Sequence, residues 1–210
     1  MPADHVANID FAEFYRPAFP NTEAAEAFVG CVEAIPAHQS KAKIVLHQAA
    51  RMLWLADRIE PFARVRPALL ILFYIIAVEA VAKLVKGFQR EGASKRHVRL
   101  FFEDICSQRH RAILGDAFRR SADGSALTLR EAVDLLYDVR CDVVHEGQYF
   151  IFTLPEPADA SPLLTVYRGA SLIPKITAHE LRKIVLEGAV LGATQLLPAG
   201  SSCLSHLPAL

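Results

Sequence analysis

The sequence predicts an all-α protein: an antiparallel helical bundle finished by a small C-terminal β-hairpin and a final helix. Apolar residues recur at helical spacing through most of the chain up to Gly147. Two T-x-x-E signatures, Thr128 with Glu131 and Thr177 with Glu180, mark helix starts, where first-turn amides need acceptors. Between them the period changes to two β-favouring runs, "YFIFTL" and "LLTVYRG", separated by "PEPADASP", which predicts a hairpin with a mobile tip.

In chain order, the Pro-bearing start reads as irregular. A helix runs from Asn21 or Thr22 until Pro36 stops it. A second fits "SKAKIVLHQAARMLWLADRIEP", with Leu46, Ala50, Leu53 and Ile59 on or near one face, and Pro61 and Pro67 then mark a turn. From Pro67, which suits a first helical turn, "PALLILFYIIAVEAVAKLVKGF" is apolar on nearly every side, the mark of a central helix ending at Gly87. The segment "GASKRHVRLFFEDICSQRHRAILGDAFRR" reads as one or two shorter helices with Ser94 as an N-cap, followed by the loop "SADGSAL". "TLREAVDLLYDVRCDVVHEG" carries both end signals, the Thr128 box and a C-cap glycine at Gly147. A last helix runs from Thr177 to about Leu197, and the tail beyond it is expected to fray.

A chain of 210 residues with 52% apolar content can bury a substantial core, and one domain over 1–210 follows, with its helical core over 38–147 and the hairpin and last helix over 148–197. Twenty-three basic residues balance twenty-three acidic ones, so no global field draws in nucleic acid or an anionic membrane, and any anion site must be local. The four cysteines show no CxxC or Cys/His ligand spacing and no signal peptide opens the sequence; a reduced, cytoplasmic protein with no metal site and no cofactor is expected. The uninterrupted apolar run from Ala68 to Val78 falls short of the roughly twenty residues that span a bilayer, so it reads as a core helix and no membrane partner is expected.

The chemistry concentrates in "LLYDVRCDVVHEGQYF". On the helix that opens at Thr128, Arg140 lies about 20° from Val133, in the middle of the apolar stripe that holds Leu129, Leu136, Val143 and Val144. A guanidinium there must be paired, face a cleft, or snorkel to the surface. His145 falls on the opposite, polar arc with Glu131, Asp134, Asp138 and Asp142, so a regular helix separates it from Arg140 by roughly 140°. The two converge only where the helix loosens before Gly147, or where one site draws on two chains. Asp142, three residues before His145, is either the group that orients the ring or a solvated carboxylate. Glu79, alone in the most apolar helix, either pairs with Lys83 four residues on or faces Arg140 and holds it.

The run "LLYDVRCDVVHEG" near the end of a capped helix, preceded by a central helix containing "AVEAVAKL", resembles the HEPN family of helical domains, particularly its Apea-like members, in which a similar "LY..R....H.G" run carries an R-x4-6-H signature. The resemblance covers about 67–147. It implies an antiparallel bundle, often dimeric, and in active members a metal-independent endoribonuclease, in defence or as a toxin-like effector with an antitoxin partner. Arg140 and His145 are the matching catalytic positions, with Glu79 and Asp142 supporting. Imidazole can move a proton at the ribose hydroxyl near neutral pH, and guanidinium can stabilise charge on the phosphate. The family commonly has Asn, Asp or His directly after the arginine, where this chain has Cys141.

Two expectations accompany this one. A module of the same fold without catalysis would bind RNA, a nucleotide or a protein partner; a purely structural bundle would use Arg140 as an internal ion pair. From Lys83 to Arg120 ten Lys/Arg face four acids, a local excess that would suit a phosphate backbone or simply a solvated face. A homodimer is expected, since a symmetry mate can complete a site whose two residues diverge within one chain.

Overall fold

The structure is a computed structural model and describes residues 9–36, 40–63, 67–87, 92–148, 151–156 and 162–206. It is mainly helical, with a small three-stranded antiparallel sheet. The helices are α1 (Phe11–Tyr15), α2 (Thr22–Ala34), α3 (Lys41–Ala63), α4 (Pro67–Lys86), α5 (Ser94–Leu100), α6 (Gln108–Gly115), α7 (Leu129–Glu146) and α8 (Ala178–Thr194); the strands are β1 (Phe118–Arg120), β2 (Thr165–Tyr167) and β3 (Ala170–Pro174).

A helix apolar all round must be enclosed by others, and α4 packs against α3, α5, α7 and α8. Ile71, Ile75, Ala77, Val78 and Val81 are fully buried along it, each large aliphatic contributing about 1.5–3 kcal/mol relative to exposure. By length and composition α4 could cross a bilayer, but more than half of its apolar window is buried inside the protein. Where α8 crosses the π-helical turn at 101–105, Gly188 permits the approach: a Cβ there would lie 2.4 Å from Phe101 Cζ. Between α6 and α8, His110 Nε2 and Glu187 Oε2 meet at 2.6 Å, both side chains buried.

Several boundaries differ from the sequence reading. The Pro-bearing start contains a helix, α1, capped by Asp10. Pro61 does not end α3 but sits in its final turn, where the missing amide costs one hydrogen bond and the helix still reaches Ala63. Ser94 is the first residue of α5 and not its cap; its hydroxyl donates to Glu79 Oε1 at 2.6 Å instead.

The hairpin exists with other partners. β2 pairs with β3, which pairs in turn with β1, giving the order β1-β3-β2. β1 comes from "AFRR", which the sequence reading assigned to a helix. Of "YFIFTL", Tyr149 and Phe150 lie outside the described residues, and the rest forms no strand. Phe152 instead packs edge-on between Phe118 and Tyr167, with centroids 5.9 and 5.8 Å away, so its apolar signal reports core filling and not a ladder. The expected mobile tip at "PEPADASP" lies mostly outside the described residues.

The expectation of four reduced cysteines is overturned. Cys31 of α2 and Cys203 form a disulfide across 172 residues, holding the 3-10 turn Ser202–His206 on α2 where a frayed tail was expected. No local spacing could have signalled a pair so far apart. Cys106 and Cys141 remain free thiols.

Candidate functional site

Helix α7 is delimited as its end signals require. The Thr128 hydroxyl accepts from Glu131 N at 3.2 Å and Glu131 Oε2 accepts from Thr128 N at 2.8 Å. At the other end Gly147 takes φ 64, a conformation that favours glycine, and the amides of Gly147 and Gln148 both return to the carbonyl of Asp142.

Arg140 Nη2 lies 3.9 Å from Glu79 Oε2, and its side chain is 19% exposed. Glu79 is a hub, because its other oxygen accepts from Lys83 Nζ at 2.5 Å and from Ser94. Both readings of Glu79 therefore hold together. Burial opposes its ionisation, but the hydrogen bonds from Lys83 and Ser94 and the charge of Arg140 prevail and hold its carboxyl below the usual value. Arg140 also touches Cys141 Sγ at 3.9 Å and lies 5.9 Å from the Tyr137 ring centroid, while its Nε is buried without a hydrogen-bond partner among the described residues. Burial, reinforced by the neighbouring Cys141 thiol, pushes the Tyr137 phenol up to about 12.

His145 is exposed and has no hydrogen-bond partner among the described residues. Asp142, read as either the group that orients the ring or a solvated carboxylate, does not bond to it. Asp142 is buried and turned to the hairpin, where it accepts from Tyr167 Oη at 2.6 Å, from Arg168 Nε at 3.2 Å and from Arg168 Nη2. Burial raises its carboxyl, yet those bonds win and hold it below the ordinary carboxylate range. Asp142 is thus neither the imidazole's orienter nor a solvated group.

The basic segment is largely consumed within the fold. Arg99 binds Asp134 with contacts of 2.7 and 2.5 Å, Lys95 binds Asp138 at 3.0 Å, and Arg120 binds Glu131 at 2.7 Å. The polar arc of α7 is therefore the counterpart of these three cations.

Since α7 stays regular through Glu146, Arg140 and His145 diverge by about 140°. Neither lines the three principal clefts, the largest of which is about 660 Å³ between α7 and the β2–β3 hairpin. The two residues instead flank a strip of helix surface. Counting from Arg140 at about 100° per residue, Val144, Tyr137 and Cys141 follow in that order before His145 is reached. Tyr137 and Cys141 are half-buried and Val144 is 48% exposed, although the sequence pattern put Val144 on the packed stripe. The core covers that stripe at Val133 and Leu136 but leaves it open at Val144, in the last turn.

Sequence reasoning passed over Arg168 and Tyr167, whose partner Asp142 lies over two dozen residues earlier. The glycine after Arg168 was the sole local cue to the tight turn that brings them there. Among the described residues no group of His, Cys, Asp and Glu side chains is arranged to hold a metal ion. No protein-family model, no curated protein and no solved structure matches the chain.

Proposed function

We propose that this protein is a HEPN-like helical bundle that cleaves RNA without a metal, acting as a homodimer whose α7 helices pair across a twofold axis. The observation that supports the reading is the strip on α7: a partly exposed surface centred on Val144, with a guanidinium on one edge and an unengaged imidazole on the other. Laid against its twofold copy, such a strip buries Val144 and brings the arginine edge of one chain to the histidine edge of the other.

In that arrangement His145 takes the proton of a ribose 2′-hydroxyl or returns one to the leaving 5′-oxygen, and Arg140 stabilises the charge developing on the phosphate. The products are a cyclic phosphate and a free 5′-hydroxyl, and DNA, which lacks the attacking group, is resistant. Single-stranded RNA is the favoured substrate because an unstacked backbone reaches in-line geometry readily. A defence or toxin-like role, with a cognate protein inhibitor, goes with this reading.

A second reading, a binding module of the same fold without catalysis, is favoured by the neutralisation of Arg140 by Glu79 and by the thiol that follows it. Mixed RNA incubated with the protein in chelator, beside folded His145→Ala, separates the two. Cleavage by the wild type alone is expected. Equal cleavage by both would show that His145 is not the catalytic group, and none by either leaves the binding module.

A further inference from the structure

We infer that Arg168 is the phosphate-positioning cation on the histidine side of α7, and that the cleft beside it takes one unstacked nucleotide of a single-stranded RNA. The inference rests on the ribonuclease reading for its purpose but not for its test.

Arg168 and Gly169 form the two-residue connection between β2 and β3, with φ values of 49 and 81. Both being positive is the mark of a type I′ turn, whose central positions favour Asn, Asp and Gly. Arg168 is the non-glycine residue with positive φ among the described residues. A long side chain in that conformation is retained at some strain, which directs attention to what the side chain does.

It forms a clamp. Two of the five guanidinium N–H groups go to Asp142, through Nε and Nη2, and Nη1 lies 3.7 Å from Asp138 Oδ2. Asp142 is in turn fixed by the Tyr167 hydroxyl. The side chain is nonetheless 54% exposed, so a guanidinium pinned by a buried carboxylate still reaches solvent. A planar cation oriented this way suits two oxygens of a phosphate.

Its two anchors share the polar arc of α7 with His145. On a regular helix Asp138 lies about 20° and Asp142 about 60° from His145 in azimuth, against about 140° for Arg140, and Asp142 is only about 4.5 Å away along the axis. The hairpin thus adds a cation held by carboxylates on the histidine side of α7.

The same arginine lines the cleft of about 660 Å³, whose apolar surface comes from Leu127, Leu135, Leu172 and Tyr167. That volume lies within the roughly 300–1,000 Å³ typical of small-molecule sites. Its carboxylates Glu131, Asp134 and Asp138 each have a cation from another element, so no unpaired negative charge stands against a phosphate. A base against the apolar surface, its phosphate on the solvent-exposed part of the Arg168 guanidinium and the next ribose toward His145 would follow the order of these groups along α7.

The test uses a fluorescent 2′-O-methyl RNA oligonucleotide, which lacks the attacking hydroxyl, so that binding is read apart from cleavage. Arg168→Asn keeps a residue suited to positive φ while removing the fork. Ala170→Trp, at an exposed position on the cleft wall, fills the cleft and leaves the clamp intact. By fluorescence anisotropy both cleft variants should bind at least tenfold more weakly than the wild type. For Arg168→Asn the dependence of log affinity on log salt should also flatten by about 0.7, the loss of one phosphate contact on a single strand. Circular dichroism checks folding; if Arg168→Asn is unfolded, Ala170→Trp decides. Failure of the wild type to bind, or unchanged binding by either folded variant, overturns the inference. Binding without cleavage of natural RNA overturns the ribonuclease reading alone.

Discussion

The two sides of the last turns of α7 hold their charges under opposite conditions. Arg140 is mostly withdrawn from water, faces a Glu79 carboxylate already shared by Lys83 and Ser94, and has a buried Nε without a partner. His145, five residues on, is in water, with the Asp142 carboxylate turned away to Arg168 and Tyr167. One residue is positioned by the fold and the other is left available. The comparison teaches that a signature spacing on a helix does not make two side chains neighbours; five residues of regular helix set them on different faces, and only a second body can unite them.

The largest effect should fall on the exposed side and on activity alone. His145→Ala should cut RNA cleavage by about 10²–10⁴, the usual contribution of a general acid or base, and alter stability by no more than about 0.5 kcal/mol, as at other surface positions. Initial rates in chelator and a urea melt on the same preparation check both. A large loss of stability would mean that the imidazole is part of the fold.

Asp142 should behave in the opposite way. Asp142→Ala leaves the Tyr167 hydroxyl and one edge of Arg168 without their acceptor and should cost about 2 kcal/mol, since the exposed Arg168 can turn to water. The sign with pH follows from the lowered carboxyl. Its contribution is fully present above the ordinary Asp value of about 3.9 and disappears as the pH falls through the lower folded value. Urea melts should therefore show wild type and variant well apart at pH 7 and converging in acid; a gap that persists at the lowest pH would locate the cost in packing instead.

Arg140→Ala should lie between them, at about 1–2 kcal/mol, because Glu79 keeps Lys83 and Ser94 and is not left alone. Equal melting temperatures for Arg140→Ala and His145→Ala would remove the contrast between the two sides.

How much of this was legible depended on the range of each signal. The ends of α7 were written locally, in Thr128, Glu131 and Gly147, and the structure keeps them to the residue. So were the enclosure of α4 and the box at Thr177. Glu79 near Arg140 was one of two readings of a charge inside an apolar helix, and both proved compatible. What failed was settled over long range. "YFIFTL" has strand chemistry, but Phe152 is spent between two aromatic rings, while β1 was hidden in a segment with helical composition. Asp142 looked like a neighbour of His145 because they share a helix face; a buried tyrosine hydroxyl and a guanidinium from a distant turn outcompete an exposed imidazole for it. Cys31 and Cys203 meet only because the end of the chain returns to α2.

The central claim is that the site forms between two copies, and complementation tests it most directly. Arg140→Ala and His145→Ala proteins, each inactive alone, are mixed in equal amounts, allowed to exchange subunits and assayed for RNA cleavage in chelator. A site shared between chains leaves each mixed dimer one intact pair, the arginine from the His145→Ala chain and the histidine from the Arg140→Ala chain. Random pairing should then restore about a quarter of wild-type activity. Demonstrated exchange with no recovery of cleavage would contradict the claim, because a site confined to one chain is broken in both partners.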